Sequence, residues 1–436
     1  MQAPNRTFAL ALAGAAVGFI LLNHTHAAQQ TIHHRYTLPL AESLLSGNGY
    51  TLHGEPAFYP IWGYPALVAV GVALGSVDLW LLVVQATAAV AGVFAALRLA
   101  RVAPRLYHIA LALPFLALLS VRWADGLVAT GLVMHLASLA EHLRTGRRAP
   151  LLAAGLALGL VGNLRTEYLY LPLAEVAAAA LPHLRGLRRR TVTAVALSGA
   201  MSLALLLPWA LRAAAHGEGL RFDATNGGCV LYISLGQLPD NPWGIEPADI
   251  VAERRARALG APGFASPEGD RLLRREFAQA VREHPEAFAR KVAYNVWSAV
   301  TGGTYVGELR TLASSPERVQ ALTRLAASEG RAAALATMTT AEAVAAGVQS
   351  VLALASAAII VALLLLGAWA LVSGTAPPLA PDGPAVALCA AVVAYKLAIM
   401  GVAQASPRHM SAVYLPLLAV GLAALPCLVA RLRGRS

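Results

Sequence analysis

Long apolar runs recur along almost the whole chain, and they restrict its fold more than any other feature. They lie at 7–22, 77–97, 106–121, 126–139, 151–164, 168–181, 192–211, 348–372, 385–402 and 412–430. A helix that crosses a bilayer needs about 20 apolar residues, so these runs predict about ten spans, with the shorter ones leaving the count open by about two. Hydrophobic residues make up 57% of the 436 and charged ones 13%, against ~25% charged in a soluble domain. So few charges cannot cover a soluble protein of this size. The chain is expected to be an all-α polytopic membrane protein, a single integral membrane domain over residues 1–436. Before the first run only Arg6 is basic, and no small-x-small cleavage site precedes a soluble domain. That run is therefore expected to stay as a helix rather than leave as a signal peptide.

The net charge of +11 invites a nucleic-acid reading, but of the 34 basic residues only Lys291 and Lys396 are lysines. Such arginine excess in an Ala- and Leu-rich chain is what high-GC codons produce, and no nucleic-acid partner is implied. The arginines instead sort by loop. Arg98, Arg101 and Arg105 form one group, and Arg144, Arg147 and Arg148 the next. Arg185, Arg188, Arg189 and Arg190 form a third, and Arg431, Arg433 and Arg435 end the chain. Under the positive-inside rule these groups share the cytoplasmic side with both termini, provided the short apolar piece at 64–75 does not cross. Two extracytoplasmic loops follow, at about 23–76 and about 212–347. Only 431–436 follow the last run, so the outer loops are expected to carry the chemistry.

Within the first outer loop, Leu38, Ala41, Leu44 and Leu45 predict a short surface helix that Gly47 and Gly49 end. In the large loop, Ser266-Pro267-Glu268 combines a capping hydroxyl, a first-turn proline and an acid, predicting a helix to about Glu283. His284-Pro285-Glu286 breaks and restarts it. Cys229, Cys389 and Cys427 are far apart and form no CxxC pair, so neither zinc nor a disulfide framework is indicated.

Ionisable residues at membrane level are costly and are therefore functional candidates. They gather on the outer face: Glu42 and Glu55, Arg122 and Asp125, Arg165 and Glu167, Arg408 and His409. Each has a plainer reading as a helix cap among headgroups. His24, His26, His33, His34 and His53 are five of the twelve histidines. Their loose spacing, with no Asp or Cys among them, does not favour a divalent metal over unliganded loop histidines. Lys396 lies in an apolar run with no acid in its own helix. It either snorkels to the interface or holds an anionic group such as a lipid phosphate.

Several stretches share an order with one known family. In the first loop these are His33-His34-Arg35-Tyr36, Leu40-Ala41-Glu42-Ser43-Leu44-Leu45, Gly47-Asn48-Gly49-Tyr50 and Pro60-Ile61-Trp62-Gly63-Tyr64-Pro65. Further along come Asp125, Arg165-Thr166-Glu167, Pro208-Trp209 with Arg212, Thr225-Asn226-Gly227-Gly228, His284-Pro285, Ser406-Pro407-Arg408-His409 and Tyr414-Leu415-Pro416. Together they resemble GT-C membrane glycosyltransferases, such as the lipid A aminoarabinose transferases and protein O-mannosyltransferases. The resemblance implies a polyprenyl-phosphate sugar as donor and a membrane-embedded site on the outer face of a bacterial inner (plasma) membrane. It also implies inverting transfer to a glycolipid, envelope glycan or protein acceptor. Arg165, Arg408 and Lys396 would hold the donor phosphate, with Arg212 behind them and Glu167 and Tyr64 alongside. No cofactor besides the donor is called for, and nothing encodes protein partners. The family's first-loop acid is replaced by Thr31-Ile32-His33-His34-Arg35. Three readings follow: His33 or His34 acts as the base; Glu42, Glu55 or Asp125 takes over; or the chain binds or moves lipid-linked sugars without transfer. A secondary transporter is a further alternative, but the two similar halves and broken midplane helices of such proteins are not visible.

Overall fold

A computed structural model of the chain describes residues 6–24, 33–119, 124–179, 188–302, 330–372 and 383–433, together with 318, 321, 322 and 325. Each of the ten apolar runs contains an α-helix. The helices that contain them are α1 (Arg6–His24), α4 (Val77–Ala100), α5 (Tyr107–Leu119), α6 (Asp125–Thr145), α7 (Arg148–Leu164), α8 (Leu171–Ala178) and α9 (Arg188–Ala215). Near the C-terminal end come α15 (Thr340–Val372), α16 (Gly383–Val402) and α18 (Tyr414–Leu432). Five of them are long and apolar enough to cross a membrane, namely α4, α6, α9, α15 and α16, and the others are shorter. The piece at 64–75 is α3 (Gly63–Ala73). At 1.5 Å per residue its length is about 16 Å, half of the ~30 Å hydrocarbon core.

Small residues let the bundle close. Gly155 and Gly159 lie one turn apart on α7, and a Cβ there would sit 2.8 Å from Met201 and 2.3 Å from Leu205 of α9. Close backbone approach of this kind replaces the hydrophobic drive that lipid does not supply. α6 is the hub, packed on α4 and α7 and touching α5, α9, α16 and α18. A fully buried pair fixes its register: His135 of α6 meets Glu175 of α8 at 2.9 Å, and its other ring nitrogen meets the Ala154 carbonyl of α7 at 3.0 Å.

The two long connections form a helical outer layer. After a π-helical turn (His33–Thr37), the first contains α2 (Leu38–Leu45) and a two-stranded hairpin, β1 (Thr51–Leu52) with β2 (Glu55–Pro56). Gly47 leaves α2 at φ 78°, the left-handed conformation that glycine tolerates. The second contains α10 (Gly227–Ser234), α11 (Asp249–Ala258), α12 (Pro267–Glu283), α13 (Pro285–Thr301) and α14 (Arg331–Ala336). Ser266 caps α12 as its sequence predicts, its Oγ accepting from Gly269 N–H at 3.0 Å. α15 begins eight residues before its apolar run because Thr339 and Glu342 form a reciprocal capping box, with bonds of 2.7 and 3.2 Å. Hydrophobicity alone does not register that start. A five-residue helix, α17 (Pro407–Ser411), lies between α16 and α18.

The Gly227-Gly228 pair has a packing role. Gly228 N–H donates to the buried Asp270 carboxylate at 2.7 Å, and Asp270 also accepts from Arg221 and Arg274. A Cβ on Gly228 would stand 2.3 Å from the Asp270 carbonyl oxygen. Gly228→Ala is therefore expected to cost about 1–3 kcal/mol of stability, read as a lower Tm of the detergent-solubilised protein. An unchanged Tm would mean that α10 and α12 are not so tightly joined.

Candidate functional site

The site is assembled where the ends of several bundle helices meet the first long connection. Asp125 opens α6, where a carboxylate suits the positive end of the helix dipole. Arg165 follows the last residue of α7, and its Nη2 donates to both Asp125 oxygens at 2.8 Å. The acid is 3% exposed and the guanidinium 27%. Two residues on, Glu167 sits in a 3-10 turn (Thr166–Tyr168) that interrupts the predicted run at 168–181 before α8 begins. Glu167 Oε1 accepts from Lys396 Nζ of α16 at 2.5 Å, and the Tyr395 hydroxyl donates to the Glu167 carbonyl. Lys396 is 1% exposed, and its ammonium lies 5.3 Å from the Tyr168 ring centre. The result is a chain of alternating charges, Asp125, Arg165, Glu167 and Lys396, supplied by two helix ends, one turn and the body of α16.

Their electrostatics follow from burial and neighbours. Burial pulls the Arg165 pKa down, but Asp125 and Glu167 outweigh it and the guanidinium is held more firmly protonated than usual. Burial pushes the Glu167 pKa up, and Lys396, His409 and Arg165 reverse this, holding it at about 2. His409, in α17, thus faces the same carboxylate; its Nδ1 lies 3.0 Å from the Gln404 carbonyl.

The first loop is fastened over this cluster at two points. Trp62 Nε1 donates to Asn163 Oδ1 at 2.5 Å, and a Cβ on Gly63 would sit 2.2 Å from the Asn163 carbonyl oxygen. The start of α3 is thereby pressed on α7 two residues before Arg165. Tyr64 is buried there with Ala41, Val68 and Ala124. The second point is Arg212, which donates to the Ala57 and Tyr50 carbonyls at 2.9 and 2.7 Å. Its guanidinium also lies 5.0–5.6 Å from the ring centres of Tyr50, Phe58 and Trp209.

The structure therefore brings Asp125, Arg165, Glu167, Lys396, His409 and Tyr64 together. Arg212 is a strut for the β1–β2 hairpin instead. Glu42 is exposed and lines a separate open depression of about 520 Å³ with Ser43, Asn48, Thr51 and His53. Glu55 is exposed in β2. The backbones of His33, His34 and Arg408 are helical, but their side chains lie outside the described residues, as do Arg122 and His26. Among the described residues, no three His, Cys, Asp or Glu side chains group as metal ligands. Sequence reasoning gives Asn163 and Tyr168 no role, and Trp62 only a place in the stretch at 60–65. The one available signal was an Asn, which is costly in an apolar run, placed two residues before Arg165.

No family model matches the chain, and no curated protein matches it. Two crystal structures of ArnT from Cupriavidus metallidurans are similar to it. The one bound to undecaprenyl phosphate is 16% identical with a TM-score of 0.43, covering 99% of this chain and 80% of that one. The apo structure is 17% identical with a TM-score of 0.38, covering 92% and 74%.

Removing one partner of a buried pair strands the other charge. Asp125→Ala is expected to cost about 3–5 kcal/mol, measured as a fall in Tm that Asp125→Ala/Arg165→Met partly restores. Glu167 supplies a pH signature. Its folded pKa of about 2 lies below the ordinary 4.5, so its stabilisation is complete above 4.5 and is lost as pH falls toward 2. Lys396→Met is expected to flatten that acid limb of the stability curve; an unchanged limb would show that the ion pair does not set it.

Proposed function

We propose that the chain is a GT-C-type membrane glycosyltransferase. It moves a sugar from a polyprenyl-phosphate-linked donor to an acceptor hydroxyl on the extracytoplasmic face, with inversion. The observation that carries this reading is the Asp125–Arg165–Glu167–Lys396 cluster, which lies directly under the first-loop stretch whose sequence resembles that family. A lipid phosphate needs cations already fixed in place, and arginine's planar fork suits it. Arg165 commits only Nη2 to Asp125, and among the described residues its Nε and Nη1 make no hydrogen bond. Those N–H groups are the phosphate donors in this reading, with Lys396 behind and Arg408, a residue of α17, as a further candidate.

The chemistry balances without a further reagent. The acceptor oxygen attacks the anomeric carbon as its O–H proton passes to a base. The carbon–oxygen bond to phosphate breaks, and its electron pair stays on the phosphate oxygen. Preorganised cations stabilise the charge that develops there. Asp125 is the base best placed relative to the cations. In the resting state it is tied to Arg165, and donor phosphate, by drawing Arg165 to itself, releases the carboxylate for proton transfer. His33, His34 and Glu42 are the rival bases, and Tyr64 walls the sugar side.

One observation favours a second reading. No carboxylate occupies 31–35, where the family has its acid, so a relative that binds or moves lipid-linked sugars without transfer has a specific basis. Polyprenyl phosphate released from a lipid-linked sugar by the purified protein in nanodiscs separates the two. Release with acceptor glycosylation is expected for the enzyme, and flux without bond cleavage would overturn it. Arg165→Ala is expected to lower kcat/KM by roughly 10²–10³-fold. Full rate in Asp125→Asn would remove Asp125 as base. Full rate in both His33→Ala and His34→Ala would dismiss the histidines.

A further inference from the structure

The chain's other lysine is also buried, pairs with no acid among the described residues, and is left unused by the mechanism above. Lys291, on α13, is 0% exposed. Its Nζ donates to the Gly401, Val402 and Ala403 carbonyls at 3.0, 2.6 and 2.8 Å and to Ser234 Oγ at 3.0 Å. One turn on, Asn295 donates to the Met400 and Ala403 carbonyls at 3.1 and 3.0 Å and to Gln237 Oε1 at 3.0 Å. Gln237 holds both sides of Ala405, accepting from its N–H at 2.9 Å and donating to its carbonyl at 2.8 Å.

These contacts have one target. The last carbonyls of a helix have no partner within it and carry the negative end of its dipole. Here they belong to α16, which bears Lys396, and the chain beyond them turns at once into Arg408 and His409. Gly401 lets α13 come close, since a Cβ there would lie 3.1 Å from Val292 and 3.2 Å from Val296. Burial draws the Lys291 pKa down to about 7, and the carbonyls that ring the ammonium work against that loss of charge.

We propose that Lys291 is a positioning residue for the anionic donor: its ammonium caps the outer end of α16, cancels the negative potential there and sets the spacing between Lys396 and the Arg408–His409 turn. The proposal rests on the functional reading above. It makes the large outer loop part of the phosphate site through a helix end, although no loop residue need touch the donor.

Full-length protein in lipid nanodiscs, with polyprenyl phosphate as probe, tests it. Lys291→Met removes hydrogen bonds from a charged group and is expected to weaken probe binding about tenfold. In turnover the loss should fall on donor KM rather than on kcat, a split that general loosening of the fold does not give. Asn295→Ala keeps the ammonium and is expected to weaken binding roughly threefold; it decides the matter if Lys291→Met does not fold. Wild-type affinity in the deciding variant overturns the positioning role and leaves the functional reading standing. A wild-type protein that binds no polyprenyl phosphate overturns that reading, and the role of Lys291 with it.

Discussion

Pairing of ionisable groups across different helices is the constraint on which this structure depends. A charge at membrane level that lacks a partner costs several kcal/mol, so each such residue dictates where a second helix must stand. Asp125 and Arg165 join the start of α6 to the end of α7, and Glu167 and Lys396 join the following turn to α16. Deeper in the bundle, His135 and Glu175 tie α6 to α8. Close-packed glycines bring the backbones together, and the polar pairs then choose one register among those that packing alone would accept.

The same pairs have a chemical consequence. An ion pair built to satisfy burial is also a store of oriented charge, and an incoming anion can exchange for the acid at little reorganisation cost. The Asp125–Arg165 contact fits that role because the guanidinium keeps donors in reserve and is the more exposed partner. The Asp270 network and the Arg212 strut do not. Their groups are committed to backbone and to neighbouring side chains within the outer layer, and they hold the layer in shape over the site. Lys291 stands between the two kinds, structural in its contacts and electrostatic in its effect on α16.

Much of this was legible from the residues. The apolar runs fix the helical class, and local capping rules fix α12. The grouping of Asp125, Arg165, Glu167 and His409 follows from their shared placement between apolar runs. What the sequence hid was partnership at long range. Lys396 lacks an acid in its own helix, yet Glu167 lies 229 residues away in the chain and 2.5 Å away in space. Arg212 reads as support for the donor phosphate until three aromatic rings and two carbonyls are seen around it. The early start of α15 escaped because a capping box, rather than hydrophobicity, sets it. The break before α8 escaped because a turn that aims Glu167 at Lys396 leaves the run apolar.

The most direct test of the central claim is a structure of the protein determined in lipid nanodiscs with polyprenyl phosphate bound. The account predicts the phosphate within hydrogen-bonding distance of Arg165, on the Lys396 side of the guanidinium, with the Asp125 carboxylate at least partly released. A phosphate seated elsewhere, with the Asp125–Arg165 pair intact, would contradict it.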